Sequence, residues 1–209
     1  MTGPAATTRD QIVVAADELF YAEGLSAISM DRIAERAGVT KKTLYYHFRS
    51  KDDLMGAYLE ARHWPVMERY SNWAGTTGSV ADRMERMFHK LGEASMDRRW
   101  RGCGFLRAAC ELADFPGHPA SIAARRHKES FEAWLRGMLL EEGRADADLL
   151  ARTLMILFDG AIAQILIHRK PDYAEAAGTA VRRLLGAVSS CIQERNEKRA
   201  DLLIAASGG

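Results

Sequence analysis

Side chains that bind phosphates and DNA bases are concentrated in one short part of this sequence, residues 36–51. This stretch contains five Lys or Arg residues and no Asp or Glu, whereas the 209-residue chain has 29 basic and 28 acidic residues and a net charge of +1. Clustered cations attract phosphates, and the Thr, Tyr and His residues among them can hydrogen-bond to phosphate oxygens and base edges. The composition therefore predicts a local nucleic-acid-binding surface on an otherwise ordinary globular chain.

One short helix within this stretch is expected to present most of these side chains. Leu44 and Phe48 are four residues apart, so they lie on one helix face and should point into a small core. The other faces of this helix carry hydrogen-bond donors and amphipathic aromatic residues, which can contact base edges, thymine methyl groups and phosphates. These residues are Lys41, Lys42, Thr43, Tyr45, Tyr46 and His47. The alternative is that the aromatic residues only fill a small helical domain.

Three helices with clear start and stop signals position this surface. Apolar spacing predicts the first helix over Thr8–Glu23. The second begins after the N-cap Ser29 and ends before Gly38. The third is predicted over Lys41–His47, and the hydroxyl of Thr40 caps it. Two short helices joined by a three-residue turn with a glycine are typical of a helix-turn-helix, whose second helix enters the major groove of DNA.

The segment GVTKKTLYYHFRSKDDL, residues 38–54, resembles the signature of the TetR family of transcriptional regulators. The resemblance extends back through SMDRIAERAG and AADELFYAEG and covers residues 8–61 without a gap. It implies an all-α fold of about nine helices. An N-terminal three-helix helix-turn-helix DNA-binding domain over residues 8–50 would be joined by a linking helix to an α-helical ligand-binding and dimerisation domain, the two together forming residues 51–204.

The same resemblance implies roles for individual residues. Thr40 and Lys41 would begin the recognition helix against DNA, and Lys42 would reach the bases. With the backbone contact, the aromatic residues and the lysine that begins the fourth helix, the predicted DNA-binding residues are Ser29, Thr40, Lys41, Lys42, Thr43, Tyr45, Tyr46, His47 and Lys51. Position 42 departs from the family pattern, in which a small residue, usually glycine, is commoner. The extra cation is expected to alter sequence preference or to add a contact to guanine.

Helical periodicity continues through the rest of the chain, and no stretch alternates like a strand. Two long helices are predicted at the end, over about residues 146–169 and 172–199. The segment Leu149–His168 has the length of a membrane span, but Arg152 and Asp159 within it would be costly in a bilayer. We therefore predict a buried helix of a bundle and no membrane partner. The last two helices are the expected dimer faces.

The second domain is expected to bind a small-molecule effector among apolar and aromatic residues, because ligand cavities are mostly apolar with a few placed polar groups. The candidates are Trp64, Met67, Met84, Phe88, Phe105, Leu106, Cys110, Phe131, Trp134, Phe158 and Ile162. Any one of these residues is more often an ordinary core residue. His127 lies in a polar helical stretch and is expected to be exposed.

The three cysteines and six histidines show no spacing typical of metal ligands, so no metal and no cofactor are predicted. An odd number of cysteines without a CxxC pair, and an N-terminus without a secretory signal, indicate a reducing, cytoplasmic location. Cys103 and Cys110 are seven residues apart and are expected on one helix face. A redox-sensing pair is then an alternative to two buried cysteines.

The predicted function is a ligand-responsive transcriptional regulator, chiefly a repressor, that binds a palindromic double-stranded DNA operator as a homodimer and is released by a small apolar or amphipathic effector. One alternative is an α-helical enzyme that carries a DNA-binding head. The sequence has no GxSxG, P-loop or dinucleotide fingerprint that would support it. The other alternative is a ligand-independent DNA-binding protein, for which the long second domain is larger than dimerisation requires.

Overall fold

Helices form the fold of the computed structural model, which describes residues 7–186. Within this range they are α1 (Thr8–Glu23), α2 (Met30–Ala37), α3 (Lys41–His47), α4 (Lys51–Ala74), α5 (Val80–Ser95), α6 (Gly104–Glu111), α7 (Pro119–Glu141) and α8 (Ala147–His168). A ninth helix, α9, is described over residues 172–186. No strand occurs in this part of the chain, so the predicted all-α fold is confirmed. The predicted ends at residues 199 and 204 lie outside the described residues.

Capping bonds fix the helix ends in the N-terminal head, which comprises α1 to α3. The hydroxyls of Ser29, Thr40 and Ser50 each accept a hydrogen bond from the backbone amide three residues ahead. Each bond satisfies an amide that has no partner within the first turn of its helix. Gly38 ends α2 with φ +68°, a left-handed conformation that favours glycine. The helix ends of the head therefore lie where the sequence predicted them.

A small apolar core holds the head together. Its fully or nearly fully buried side chains are Ile12, Ala16, Phe20, Ile33, Leu44 and Phe48. The burial of Leu44 and Phe48, predicted from their spacing, fixes the rotation of α3 about its own axis. The other faces of α3 are consequently turned away from the core.

The long helix α4 joins the head to the helical body, which comprises α5 to α9. Tyr58 in its first half contacts Phe20 of α1, and Tyr70 in its second half contacts Phe131 of α7. The helix ends at Ala74, because the next residue, Gly75, takes a positive φ and ends the regular pattern. One continuous helix of 24 residues therefore contacts both parts of the molecule.

Helix α8 was predicted to be buried, and the structure corrects this prediction in part. The side that carries Leu154 and Phe158 packs in the core, whereas Leu149, Ile156 and Ile167 on another side are exposed. By length and composition α8 could cross a membrane, and 39% of its most apolar stretch is buried within the protein. The apolar residues of α8 thus lie on two sides of the helix, one packed in the core and one exposed.

Most residues predicted to line an effector pocket pack in the core of the body. Met84, Phe88, Phe105, Phe131, Phe158 and Ile162 are buried, and Met67, Leu106 and Trp134 are partly buried. The structure corrects the placement of Trp64, which is 75% exposed, and of Cys110, which is also at the surface. Each follows a buried residue of its own helix, Leu59 or Phe105, by five positions. Five positions turn a side chain by roughly 140° around the helix, away from the core.

The prediction that His127 is exposed was wrong, since the side chain is 1% exposed. It lies on the buried face of α7, four residues after Ala123 and four before Phe131. The polar residues around it in the sequence occupy the other faces of the same helix. The polar residues next to His127 in the sequence therefore do not indicate whether His127 itself is buried.

The two cysteines do not share a helix face. Cys103 is the N-cap residue of α6 and is buried, whereas Cys110 lies within the helix and is exposed. The predicted common face was wrong because α6 begins one residue after Cys103. The third cysteine lies outside the described residues.

Candidate nucleic-acid interface

The outer faces of α3 carry side chains that were predicted to contact DNA. Tyr46 is 84% exposed, and its ring meets that of His47 edge to face, with centroids 5.1 Å apart. The residues that accompany it are exposed (Lys41, Lys42 and Tyr45) or partly exposed (Thr43 and His47). An aromatic ring held in solvent beside cations stabilises no core, so its position suits contact with another molecule.

Local hydrogen bonds hold the first turn of α3. Thr40 Oγ1 accepts the Thr43 amide at 3.1 Å, and the two hydroxyl groups lie 2.8 Å apart. Ser29 has the same function in α2, because its hydroxyl accepts the Arg32 amide at 3.3 Å. Ser29, Thr40 and Thr43, which were predicted to bind DNA, therefore also stabilise the first turns of α2 and α3 and so orient the surface.

Two of the five cations in residues 36–51 are paired with acidic residues outside that stretch. Lys41 Nζ lies 2.8 Å from a carboxylate oxygen of Asp31 on α2, and the hydrogen bond between them raises the pKa of Lys41. Arg36 forms an ion pair with Glu18 on α1. The charge count along the chain missed these pairs, because the acids reach the cations only in the folded head. The surface is thus less positive than its sequence indicates.

The turn between α1 and α2 is held from both the linking helix and the body. Lys51 Nζ, at the start of α4, donates to the Ser26 carbonyl at 3.1 Å. The carboxylate of Glu111, at the end of α6, accepts the amides of Leu25 at 3.0 Å and Ser26 at 2.6 Å. Burial opposes the ionisation of Glu111, but the hydrogen bonds from Ser26 and Leu25 together outweigh it and lower the pKa of the carboxyl group. The helix-turn-helix is therefore fastened to α6 as well as to α4.

A second contact between head and body is centred on Tyr21 of α1. Its hydroxyl donates to the Gly102 carbonyl at 3.1 Å and accepts the Arg101 amide at 3.0 Å. Arg107 of α6 donates to the Tyr21 carbonyl at 2.8 Å, and Arg62 of α4 lies over the ring, 4.4 Å from its centroid. Sequence reasoning missed this contact, because its partners are more than 40 positions from Tyr21 and share no local pattern with it.

The body presents a groove of about 760 Å³ between the end of α4, α5 and the start of α9. Trp73, Phe88 and Met96 line it together with charged residues of both signs, such as Lys90 and Glu175. Phe88 belongs to the predicted pocket residues. The mixed lining does not by itself select a class of ligand.

No metal centre is formed by the residues that the structure describes, since no three His, Cys, Asp or Glu side chains come together as ligands. Two imidazoles do lie close together, those of His63 on α4 and His127 on α7, whose Nδ1 atoms are 3.1 Å apart. Two ligands are fewer than the three or four that hold zinc.

Comparison with known proteins identifies the head. The family model of the bacterial regulatory proteins of the tetR family matches residues 12–58, which include most of α1, all of α2 and α3, and the start of α4. The probable HTH-type transcriptional regulator ArpR of Pseudomonas putida is 42% identical over 188 residues, which cover 83% of this chain and 86% of that protein. The chain belongs to the TetR family.

The TetR-family likeness extends beyond the head. The crystal structure of a TetR-family transcriptional regulator from Streptomyces coelicolor matches with a TM-score of 0.76 and 31% identity, over 87% of this chain and 96% of that one. An HTH-type transcriptional repressor of Mycolicibacterium smegmatis is 29% identical over 142 residues, which cover 68% of this chain and 67% of that protein. This TetR-family chain is therefore a DNA-binding transcriptional regulator, and the relatives compared with it are regulators rather than enzymes.

Proposed function

We propose that this protein is a cytoplasmic, homodimeric repressor that binds a palindromic operator through α3 and releases it when a small apolar or amphipathic effector binds the body. Residues 8–50 would read DNA, and residues 51–204, which comprise the linking helix and the body, would dimerise and bind the effector. The observation that carries the proposal is the orientation of α3. Buried Leu44 and Phe48 turn Lys42 and Tyr46 into solvent on a helix that follows a helix-turn-helix turn.

The remaining predicted contacts surround this helix. Lys42 would reach base edges, and the side chains of Tyr45, Tyr46 and His47 would contact phosphates and bases. Contacts to the DNA backbone would come from Ser29, Thr40, Lys41, Thr43 and Lys51. Hydroxyl and ammonium groups suit phosphate oxygens, which fix the register of the protein on the duplex.

Helix α8 offers a surface for the second copy. Its exposed residues Leu149, Ile156, Gly160 and Ile167 follow one another at spacings of seven, four and seven, which places them on one stripe. Asp159 is turned toward α7, where it bonds Lys128 at 2.5 Å, so this acid does not interrupt the stripe. A symmetric dimer through α8 and α9 would present two copies of α3 to half-sites about 34–36 Å apart.

Release would follow from contacts between body and head. An effector lowers operator affinity only to the extent that it prefers a conformer with a different spacing of the two α3 helices. Helices α4 and α6 both contact the head, through Lys51 and through Glu111, so a rearrangement of the body reaches the helix-turn-helix by two routes. The relatives include a repressor, matched over 68% of this chain, and an activator, matched over 29%, so the longer likeness supports repression.

The experiment that tests this function is a gel-shift titration of the purified protein against the intergenic DNA upstream of its own gene. It is run at two salt concentrations, with a nonspecific duplex as competitor, because phosphate contacts alone weaken steeply with salt. A discrete complex that resists the competitor supports a specific regulator. If raising the salt concentration abolishes binding to the upstream DNA and to the nonspecific duplex equally, the proposal is contradicted.

A further inference from the structure

His127 is a buried side chain whose hydrogen bonding is incomplete. Its Nδ1 lies 3.1 Å from Nδ1 of His63, so one imidazole donates this bond and the other accepts it. Its Nε2 is buried and has no hydrogen-bond partner among the described residues. In either tautomer, therefore, a donor or an acceptor is left unsatisfied in the core of the body, which is unfavourable without a partner.

The surroundings of this imidazole keep it uncharged. Burial lowers the pKa of His127 to about 3, and the charges of Lys128 and His63 contribute in the same direction. Lys128 itself is paired with Asp159 at 2.5 Å, and both side chains of that pair are mostly buried. A charged ligand would lose its hydration beside a neutral imidazole and a lysine that is already paired. A neutral ligand that can hydrogen-bond meets no such penalty.

Aromatic rings surround the imidazole. The ring of Phe105 stacks on it, with centroids 3.6 Å apart and planes inclined by 6°. The ring of Tyr70 lies 6.5 Å away and continues the cluster to Phe131 at 5.2 Å and Phe158 at 5.1 Å. Such a cluster favours a flat apolar molecule, because aromatic rings pack on one another by offset stacking or edge-to-face contact.

We propose that His127 is the hydrogen-bonding group of the effector site and that the effector is an uncharged aromatic molecule with a hydroxyl group. A hydroxyl both donates and accepts, so it satisfies Nε2 in either tautomer. The ring of the effector packs among the aromatic side chains around the imidazole. This inference rests on the proposed function, because it specifies the class of molecule that releases the operator.

One of the two helices that join the site to the head is the short helix α6. Because His127 is 1% exposed, binding at Nε2 requires the rings around it to move apart. One of these rings belongs to Phe105 in the first turn of α6, and Glu111 at the other end of the same eight-residue helix holds the α1–α2 turn. A displacement of Phe105 therefore moves the contact between α6 and the helix-turn-helix.

Three probes with the same ring system test the proposal: 2-naphthol, naphthalene and 2-naphthoate. Their binding to the full-length protein is measured by calorimetric titration and thermal shift. We expect 2-naphthol to bind at least about tenfold more tightly than either of the others, since only its hydroxyl matches a neutral, hydrogen-bonding site. Equal affinities for 2-naphthol and naphthalene, tightest binding of 2-naphthoate, or no binding of any probe would overturn the proposal.

Two variants and one spectrum locate the bound probe. His127→Phe keeps a ring at this position and is expected to abolish the preference for 2-naphthol over naphthalene. His89→Phe is the matched control, because that histidine is 73% exposed and lines the groove between α5 and α9. A preference lost in His89→Phe instead places the probe in the groove and contradicts the assignment. In the wild-type protein, 15N NMR should show the His127 Nε2 signal shifting with 2-naphthol and not with naphthalene, which requires no variant to fold.

The outcome for this inference is separable from that for the proposed function. The gel-shift titration is performed first on the wild-type protein without any probe. Specific operator binding combined with no preference for the hydroxyl probe overturns the effector class alone. Absence of specific operator binding overturns the repressor function, whatever the probes do.

Discussion

Tyr46 is the most exposed large apolar side chain in residues 7–186. It contributes little to the core of the head, so its removal should affect DNA binding and not folding. We expect Tyr46→Ala to weaken operator binding by about tenfold, roughly 1.4 kcal/mol, measured by gel shift at fixed salt. Tyr46→Phe separates the hydroxyl from the ring. Unchanged operator affinity in Tyr46→Ala, with the dimer intact by gel filtration, would contradict the assignment of α3.

Lys42 is exposed on the same helix. Unlike Lys41, which pairs with Asp31, it belongs to no salt bridge among the described residues. If it reads a guanine, Lys42→Ala should lose the discrimination between the operator and a variant with that one guanine replaced. The expected loss is about 1–3 kcal/mol of discrimination. Lys170→Ala, an exposed lysine on the body, is the control. A salt dependence reduced by about one phosphate contact, with discrimination retained, would show instead that Lys42 binds the backbone.

His127 makes a prediction about acid stability. Its pKa is lowered from 6.5 to about 3 in the folded protein, so the unfolded chain binds a proton below pH 6.5 that the folded chain does not. The free energy of unfolding should therefore fall as the pH is lowered from 6.5 toward 3, by a few kcal/mol at most. Denaturant titrations at several pH values in this range give the free energy of unfolding at each pH. In His127→Phe this free energy should fall less steeply as the pH is lowered. An equal slope in both proteins would mean that other groups cause the acid sensitivity.

At the scale of residues, spacing predicted the faces of α3 but not the environment of His127. Leu44 and Phe48 could be assigned because a short helix in a small head has one core to face. His127 lies on a helix that packs against α4, α6 and α8, so several faces of α7 are covered and its polar neighbours give no reliable sign. Its partner His63 lies 64 positions away, and no local pattern joins them.

At the scale of elements, caps and breakers predicted helix ends well. Ser29 and Thr40 are bonded as N-caps, and Gly38 ends α2, as predicted. The role of α6 was not predictable, because the hydrogen bonds of Glu111 to the α1–α2 turn join residues more than 80 positions apart. Such contacts depend on how the helices pack, which helical periodicity does not specify.

The contact of α6 with the head can be measured directly. In Glu111→Ala the amides of Leu25 and Ser26 lose their acceptor, so their hydrogen exchange should accelerate by about tenfold or more. Asp114→Ala, an exposed acid just beyond α6, should leave the exchange of both amides unchanged. Unchanged exchange in Glu111→Ala would indicate that α6 does not restrain the helix-turn-helix in solution.

At the scale of the whole molecule, the stripe on α8 leads to a prediction about assembly. A charge placed among apolar side chains in an interface is strongly unfavourable, so Ile156→Asp should convert the dimer to a monomer at micromolar concentrations. Because a monomer contacts only one half-site, operator affinity should fall by at least about 100-fold. Met96→Asp, at an exposed apolar residue outside the stripe, is the control for sedimentation analysis. A dimeric Ile156→Asp protein would locate the interface elsewhere.

The acidic partners of Lys41 and Arg36 affect how such a regulator finds its target in a genome. A chromosome offers about a million or more competing sites, which hold a protein through phosphate contacts alone. Asp31 and Glu18 already neutralise two cations of the head, so random DNA gains less from them and retains the protein for a shorter time. We therefore expect these two acids to weaken binding to DNA of any sequence and to shorten the search for the operator.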